Sequence, residues 1–165
     1  MKSRHLLPVV TGLVLTACSP GASAAVSADG AGDSGNPLLQ PSPLPLQYPP
    51  FDRIRNEHFL PALQAGMAEQ LKEVAAIAAD PAVPTFDNTV LALEQSGQLF
   101  NRALTVFSNL NATITNPEMQ QIQQTVAPLL AAHRDAILLD SVLYQRLQTV
   151  AASEAAKALD GESAQ

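Results

Sequence analysis

The stretch PTFDNTVLALEQSGQLFNRALTVFSNLN, from Pro84 to Asn111, decides the fold of this 165-residue chain. Its apolar residues recur at alternating steps of four and three, the spacing that places side chains on one face of an α-helix. This stripe consists of Phe86, Val90, Leu93, Phe100, Leu104 and Phe107, and Gly97 fills the turn between its two halves. The pattern therefore predicts one long amphipathic helix that is buried against other helices.

A helix is predicted on the N-terminal side of that stretch, from about Asn56 to Ala79. Asn56 can cap it, and Pro81 and Pro84 follow its end. Its expected buried face consists of Leu60, Leu63, Met67, Leu71, Val74 and Ile77. Thr85 is then the expected cap of the central helix, which should end in a break at residues 111–115.

Two further helices are predicted on the C-terminal side. Asn116 and Pro117 mark the start of the third helix, since asparagine caps helices and proline fixes the φ angle of the first turn. Pro128 should kink this helix, and its expected apolar side consists of Met119, Ile122, Val126, Leu129, Leu130 and Ile137. The fourth helix should run from about Asp140 to Ser153 and bury Leu143, Leu147 and Val150. No stretch alternates as a β-strand, so the predicted fold class is all-α.

Composition and charge narrow the possible partners. Hydrophobic residues make up 47% of the chain, but only seven residues are aromatic, which predicts a core built largely from small side chains. The net charge is −6. Nucleic acid is excluded as a partner, because the chain has no basic stripe to neutralise phosphates.

The N-terminus has the pattern of a secretory signal in residues 1–17, with a charged start and a short apolar run. Leu15, Thr16, Ala17 and Cys18 then match the bacterial lipobox, in which the cysteine is lipidated and becomes the first mature residue. Cys18 is therefore the predicted lipidation site and membrane anchor. The alternative is ordinary cleavage after residues 22–24, an A-x-A pattern, which would discard Cys18.

Residues 18–50 are rich in Gly, Ala, Ser and Pro and lack a periodic apolar pattern, so they are predicted to form a disordered tether. Ser19 rather than Asp follows the cysteine, which by resemblance to known lipoproteins favours the outer membrane. The expected localisation is the cell envelope, with the protein facing the periplasm. Residues 51–165 remain for the helical region.

No catalytic or metal-binding constellation is found in the sequence. His58 has isoleucine where an H-x-x-E-H motif needs its first histidine, and His133 has no second ligand four residues on. Each is expected to be a partly exposed polar residue or a hydrogen-bonding residue at a helix end. Glu94 and Glu118 are expected at solvated helix positions, so the sequence offers no catalytic residue and no metal ligand.

Three segments together resemble a known family: YPPFDRIRNEHFLPALQAGMAEQLKEVAAIA, PTFDNTVLALEQSGQLFNRALTVFSNL and TNPEMQQIQQTVAPLLAAHRDAI. They are similar to the N-terminal helical region of the thimet oligopeptidase family of zinc metallopeptidases, and most of all to the bacterial peptidyl-dipeptidases. The closest matches are Glu57 to Pro61, Pro84 to Thr89 and Ala127 to His133. The resemblance covers Asn36 to Val150 in unbroken order.

The resemblance implies a two-lobed helical enzyme with a channel for short peptides. In the family, two histidines of an H-E-x-x-H helix and a downstream glutamate hold zinc, and peptidyl-dipeptidases release dipeptides from the C-terminus of peptides. No H-E-x-x-H occurs here, so no catalytic or zinc-binding residue can be transferred to this chain. Zinc is expected only in the full-length enzyme.

The sequence thus predicts an incomplete N-terminal peptidase segment, inactive by itself, whose four helices form part of a larger helical lobe. Asp160 and Gly161 look like the beginning of a further helix, which is consistent with truncation. The alternative is a stand-alone, lipid-anchored helical module that binds a partner protein.

Overall fold

Helices supply the regular structure of residues 35–153, the part of the chain that the computed structural model describes. The main helices are α1 (Phe59–Ala79), α2 (Ala92–Glu94), α3 (Gln98–Ile114), α4 (Pro117–Leu138) and α5 (Ser141–Ala151). A π-helical turn, Phe86–Leu91, precedes α2, and 3₁₀ turns occupy Pro45–Gln47 and Asn56–His58. No strand occurs within these residues, which confirms the all-α prediction for them.

Side-chain caps begin three helical segments, two of them at the predicted caps Thr85 and Asn116 and the third at Asp140. The Thr85 hydroxyl accepts a hydrogen bond from the backbone N–H of residue 88. Asn116 Oδ1 accepts one from the N–H of residue 119 at 2.9 Å, and Asp140 accepts two from residues 142 and 143. These bonds satisfy N–H groups that have no partner within the first helical turn.

The predicted cap at Asn56 is wrong. Its Nδ2 instead donates to Glu118 Oε2 at 2.8 Å and to Asn116 Oδ1 at 3.3 Å, which ties the start of α1 to the start of α4. Arg55 is the N-cap residue instead, and the Nδ1 of His58 accepts a hydrogen bond from its backbone N–H. The prediction of a helix-end role is therefore confirmed for His58.

The opening stretch is not one long helix. Gly97 has a φ of +70°, in the left-handed region, and the chain breaks there between α2 and α3. Glycine adopts this conformation at no steric cost, which is why the break falls at this residue. The apolar stripe is split as a result, and Phe86 is 45% exposed while Phe100 and Phe107 are buried. In addition, α3 continues to Ile114, through most of the predicted break at 111–115.

Helix α1 lies at the centre of the core, with α3, α4 and α5 packed on it. Its contact with α3, called the α1–α3 seam below, is very close: a Cβ on Gly66 would lie 2.6 Å from Phe100 Cα. Ala62 and Ala103 are fully buried in the same cluster. Small residues therefore allow the two helices to approach closely.

The predicted apolar faces of α1 and α4 are buried in part. Leu63, Met67 and Val74 are buried on α1, and Met119, Ile122 and Val126 are buried on α4. Leu71 and Leu129, which were predicted to be buried, are exposed by 36% and 37%. Helix α4 continues across Pro128, and the expected kink at that residue stays a prediction.

The helical body includes residues that the sequence assigned to the tether. Leu38 is buried in the core, and its carbonyl accepts a hydrogen bond from Arg102 Nη2 at 3.3 Å. Asn36 is also buried, and its Nδ2 donates to the carbonyl of His58 at 2.9 Å. The prediction of a disordered tether is therefore wrong for this segment. The signal peptide, Cys18 and the end of the chain from residue 154 lie outside the described residues.

Within residues 35–153, no helix combines the length and the hydropathy that crossing a bilayer requires.

Candidate functional site

Polar side chains from three parts of the chain meet at the break before α3. Gln70 of α1 connects them: its Oε1 lies 2.8 Å from His133 Nε2 of α4, and its Nε2 donates to Ser96 Oγ at 3.4 Å. The Ser96 hydroxyl in turn donates to the carbonyl of Leu93 at 2.7 Å. The break itself is held by Glu73, whose Oε2 accepts a hydrogen bond from the N–H of Gly97 at 2.7 Å.

His133 is a core residue and not the partly exposed one that the sequence predicted. It is 7% exposed, and its ring lies edge-on to Phe100 with centroids 4.9 Å apart. Because Gln70 Nε2 donates to Ser96, Gln70 Oε1 is the acceptor and His133 Nε2 carries the proton of the neutral ring. Burial lowers the pKa of His133 below its usual range, which also favours the neutral form.

The described contacts of this network do not pair a general base with a nucleophile. A general base must lie within hydrogen-bonding reach of a nucleophile or a substrate. The Nε2 of His133 is bonded to an amide, and its Nδ1 is buried with no hydrogen-bond partner in the described part of the chain. Ser96 has no neighbouring base among the groups bonded to it. The arrangement therefore positions α1, α4 and the break relative to one another.

A second buried polar cluster is centred on Arg146 of α5, which is 7% exposed. Its Nη1 donates to the carbonyls of Asp80 and Ala82, and its Nη2 donates to Asn88 Oδ1 and Thr89 Oγ1. An ion pair with Asp80 Oδ2 at 3.5 Å adds to these contacts. One guanidinium thus bonds both to the connection that follows α1 and to the π-helical turn.

This role of Arg146 was not predicted from the sequence, although the signal was present. The residue lies three positions after Leu143 and four before Val150, both buried, so it lies on the apolar face of α5. A charged residue at such a position has to find polar partners inside the protein.

Comparison with known proteins identifies the relatives of this chain, although no family model matches it. It is 43% identical over 130 residues to a dipeptidyl carboxypeptidase of Salmonella typhimurium, a match that covers 79% of this chain and 19% of the relative. The Escherichia coli dipeptidyl carboxypeptidase is 41% identical over 128 residues, covering 78% and 19%. Oligopeptidase A of Escherichia coli is 30% identical over 98 residues, covering 59% and 14%. The chain is homologous to peptidases of the thimet oligopeptidase family.

This homology confirms the resemblance that the sequence motifs indicated. The chain spans about a fifth of the length of the dipeptidyl carboxypeptidases that it matches. The match to the Salmonella typhimurium enzyme covers most of this chain.

The zinc that the resemblance implies for a complete enzyme of the thimet oligopeptidase family does not fit the residues described here. Among residues 35–153, no group of three His, Cys, Asp or Glu side chains could hold a metal ion. His58 and His133 are each engaged in hydrogen bonds at separate places in the fold. Glu94 and Glu118 are exposed, and Glu118 accepts the hydrogen bond from Asn56. The described residues thus bring none of these candidates together as a metal site.

Proposed function

We propose that this chain is the N-terminal part of a zinc metallopeptidase resembling dipeptidyl carboxypeptidase, which releases dipeptides from the C-terminus of short peptides. In this proposal the described helices build part of the wall of a larger helical lobe. The observation that carries it is the 43% identity over 130 residues to a dipeptidyl carboxypeptidase.

This segment would have a structural role, and the catalytic residues would lie in the rest of the enzyme. The buried histidine and the buried arginine both hold helices in place, as the hydrogen bonds of His133 and Arg146 indicate. Zinc would be held by residues that this chain does not contain. The chain alone is therefore expected to be inactive, and the complete enzyme is expected to bind short peptides.

Peptide cleavage tests both halves of the proposal. The purified chain should release no dipeptide from a blocked tetrapeptide with a free C-terminus, whether zinc is added or not. A chimera in which this chain replaces the matched fifth of the Escherichia coli dipeptidyl carboxypeptidase should release dipeptides and be inhibited by a chelator. Zinc-dependent release by the chain alone would contradict its inactivity, and a folded but inactive chimera would contradict its place in the enzyme.

We also propose that the mature protein is anchored by lipid on Cys18 and faces the periplasm, on the outer membrane of a two-membrane bacterium. The lipobox at residues 15–18 supports this proposal. Incorporation of a labelled fatty acid in bacterial cells tests it, with Cys18→Ser as the control. Incorporation that persists in Cys18→Ser, or cleavage after residue 24, would contradict it.

The second candidate is a stand-alone, lipid-anchored helical module that binds a partner protein. The continuous core that joins α1, α3 and α4 favours it. Calorimetry of the full chain separates the two candidates. A sharp thermal transition without binding of an apolar dye supports the module, whereas strong dye binding supports a segment with an uncovered apolar surface.

A further inference from the structure

An apolar groove, called the α3–α4 groove below, runs between α3 and α4. It consists of two adjoining cavities of about 410 and 440 Å³, which share Leu104 of α3 and Leu130 of α4 as walls. Buried Phe107 and Val126 line one of the cavities. Both shared leucines are only half-buried, so each wall leaves apolar surface uncovered.

The dimensions of the groove suit a helix. Its α3 wall extends from Phe100 to Ala112, which at 1.5 Å per residue is roughly 18 Å, or about three helical turns. One end is bridged by a hydrogen bond from Asn111 Nδ2 to Gln123 Oε1 at 2.7 Å. The other end reaches Leu138, which is 63% exposed. An exposed apolar side chain therefore lies at that end of the groove.

The chemistry of the walls favours a helix over an extended peptide. A bound extended strand needs hydrogen-bond partners for its backbone, whereas a helix satisfies its own. The amides of Asn111 and Gln123 bond to each other, and most of the remaining wall is apolar. Amphipathic helices bind such grooves through apolar residues at successive turns.

We propose that the α3–α4 groove receives the apolar face of an amphipathic helix from the catalytic part of the peptidase. This inference rests on the proposed function. About four fifths of the length of the matched dipeptidyl carboxypeptidases lies outside the match, and that part supplies the occupant. A second copy is a poorer occupant, because each chain carries a net charge of −6 and two copies repel.

Thiol labelling tests the groove with a matched pair of cysteine variants. Ala127 lines the groove, and Ala136 lies nine residues further along the same helix, about 180° away around its axis. Both alanines are exposed in the chain. Ala127→Cys and Ala136→Cys are made in a Cys18→Ser background, in the chain alone and in the chimera with the Escherichia coli enzyme.

In the chain alone, both thiols should react at similar rates. In the chimera, labelling of Ala127→Cys should slow by roughly tenfold or more, because a covered site reacts only through local opening, while labelling of Ala136→Cys should be unchanged. A chimera that releases dipeptides but labels equally at both positions overturns the inference and leaves the proposed function standing. A folded, inactive chimera that protects Ala127→Cys overturns the proposed function and supports the groove.

The other occupants give different results. If a second copy fills the groove, protection of Ala127→Cys will rise with the concentration of the chain alone. If lipid fills it, vesicles of phosphatidylethanolamine and phosphatidylglycerol will protect that thiol in the chain alone. Either result overturns the proposal, as does a chimera that fails to accumulate as a folded protein while the unmodified Escherichia coli enzyme accumulates.

Discussion

The two sides of α3 differ in how completely they are packed. On the α1–α3 seam, Gly66 brings the two backbones together, and Ala62 and Ala103 are fully buried. In the α3–α4 groove, Leu104 and Leu130 remain half-buried beside open volume. Both sides are apolar, so hydrophobicity alone does not distinguish them. Side-chain size therefore decides closure here, because small residues permit close contact between the helices, whereas the large leucines of the groove leave apolar surface uncovered.

The largest effect is expected from Phe107→Ala, at a ring that packs on α1 and also lines the α3–α4 groove. The Phe107 ring is nearly fully buried and lies edge-on to Phe59, with centroids 5.3 Å apart. The change should lower the free energy of unfolding by about 3–5 kcal/mol through lost burial and a new cavity. Urea unfolding followed by circular dichroism measures it. Phe86→Ala, at a phenylalanine that is 45% exposed, is the control and should cost clearly less.

The next effect should come from Gly66→Ala. At an exposed helix position this substitution stabilises by about 1 kcal/mol. Here the new methyl group would lie 2.6 Å from Phe100 Cα, so the helices must separate, and a net loss of about 1–3 kcal/mol is expected. Thermal unfolding gives the sign directly. A gain in stability would show that the seam tolerates separation, and the contrast with the groove would then disappear.

A smaller effect is expected from Leu104→Ala in the groove. Leu104 is half-buried, so its truncation should cost about 1 kcal/mol or less in the chain alone. In the chimera the same change should cost more, since the wall would then be covered. Parallel urea titrations of the two proteins measure the difference. Equal costs in both would mean that the groove stays open in the enzyme.

The smallest effect concerns pH and arises where the seam and the groove meet, at His133. The folded state holds the pKa of His133 below its usual value through burial. As the pH falls, the unfolded chain therefore binds a proton at a higher pH than the folded chain does. The contribution of neutral His133 to the free energy of unfolding is complete above the unfolded pKa of about 6.5 and is lost as the pH falls from there towards the folded pKa. Urea unfolding at pH 7.5 and pH 5 measures the loss. His133→Gln should reduce this pH dependence, and an unchanged dependence would assign it to other groups.

The sequence predicted the features that depend on neighbouring residues. Thr85 and Asn116 were identified as caps because each donor and acceptor lie within three residues of each other. The residue pattern also located the end of α1 at Ala79 and the start of α4 at Pro117. These are local properties, and the all-α class followed from them.

The sequence did not reveal features whose partners are distant along the chain. The break at Gly97 depends on Glu73, and the burial of His133 depends on Gln70, which is 63 residues away. The docking of Leu38 depends on Arg102, 64 residues away. A periodic pattern cannot distinguish a glycine that continues a helix from one that ends it, because the deciding contacts come from another helix.

The hydrogen bonds from Arg146 to the connection after α1 also have a consequence for synthesis on the ribosome. Asp80 and Arg146 are 66 residues apart. At translation rates of about 5–20 residues per second, roughly 3–13 s separate the synthesis of these two residues. During that interval the nascent connection lacks its guanidinium partner, and its backbone carbonyls are left to water. The loop is therefore secured late, and the α5 residue that secures it is made after every helix that the loop joins.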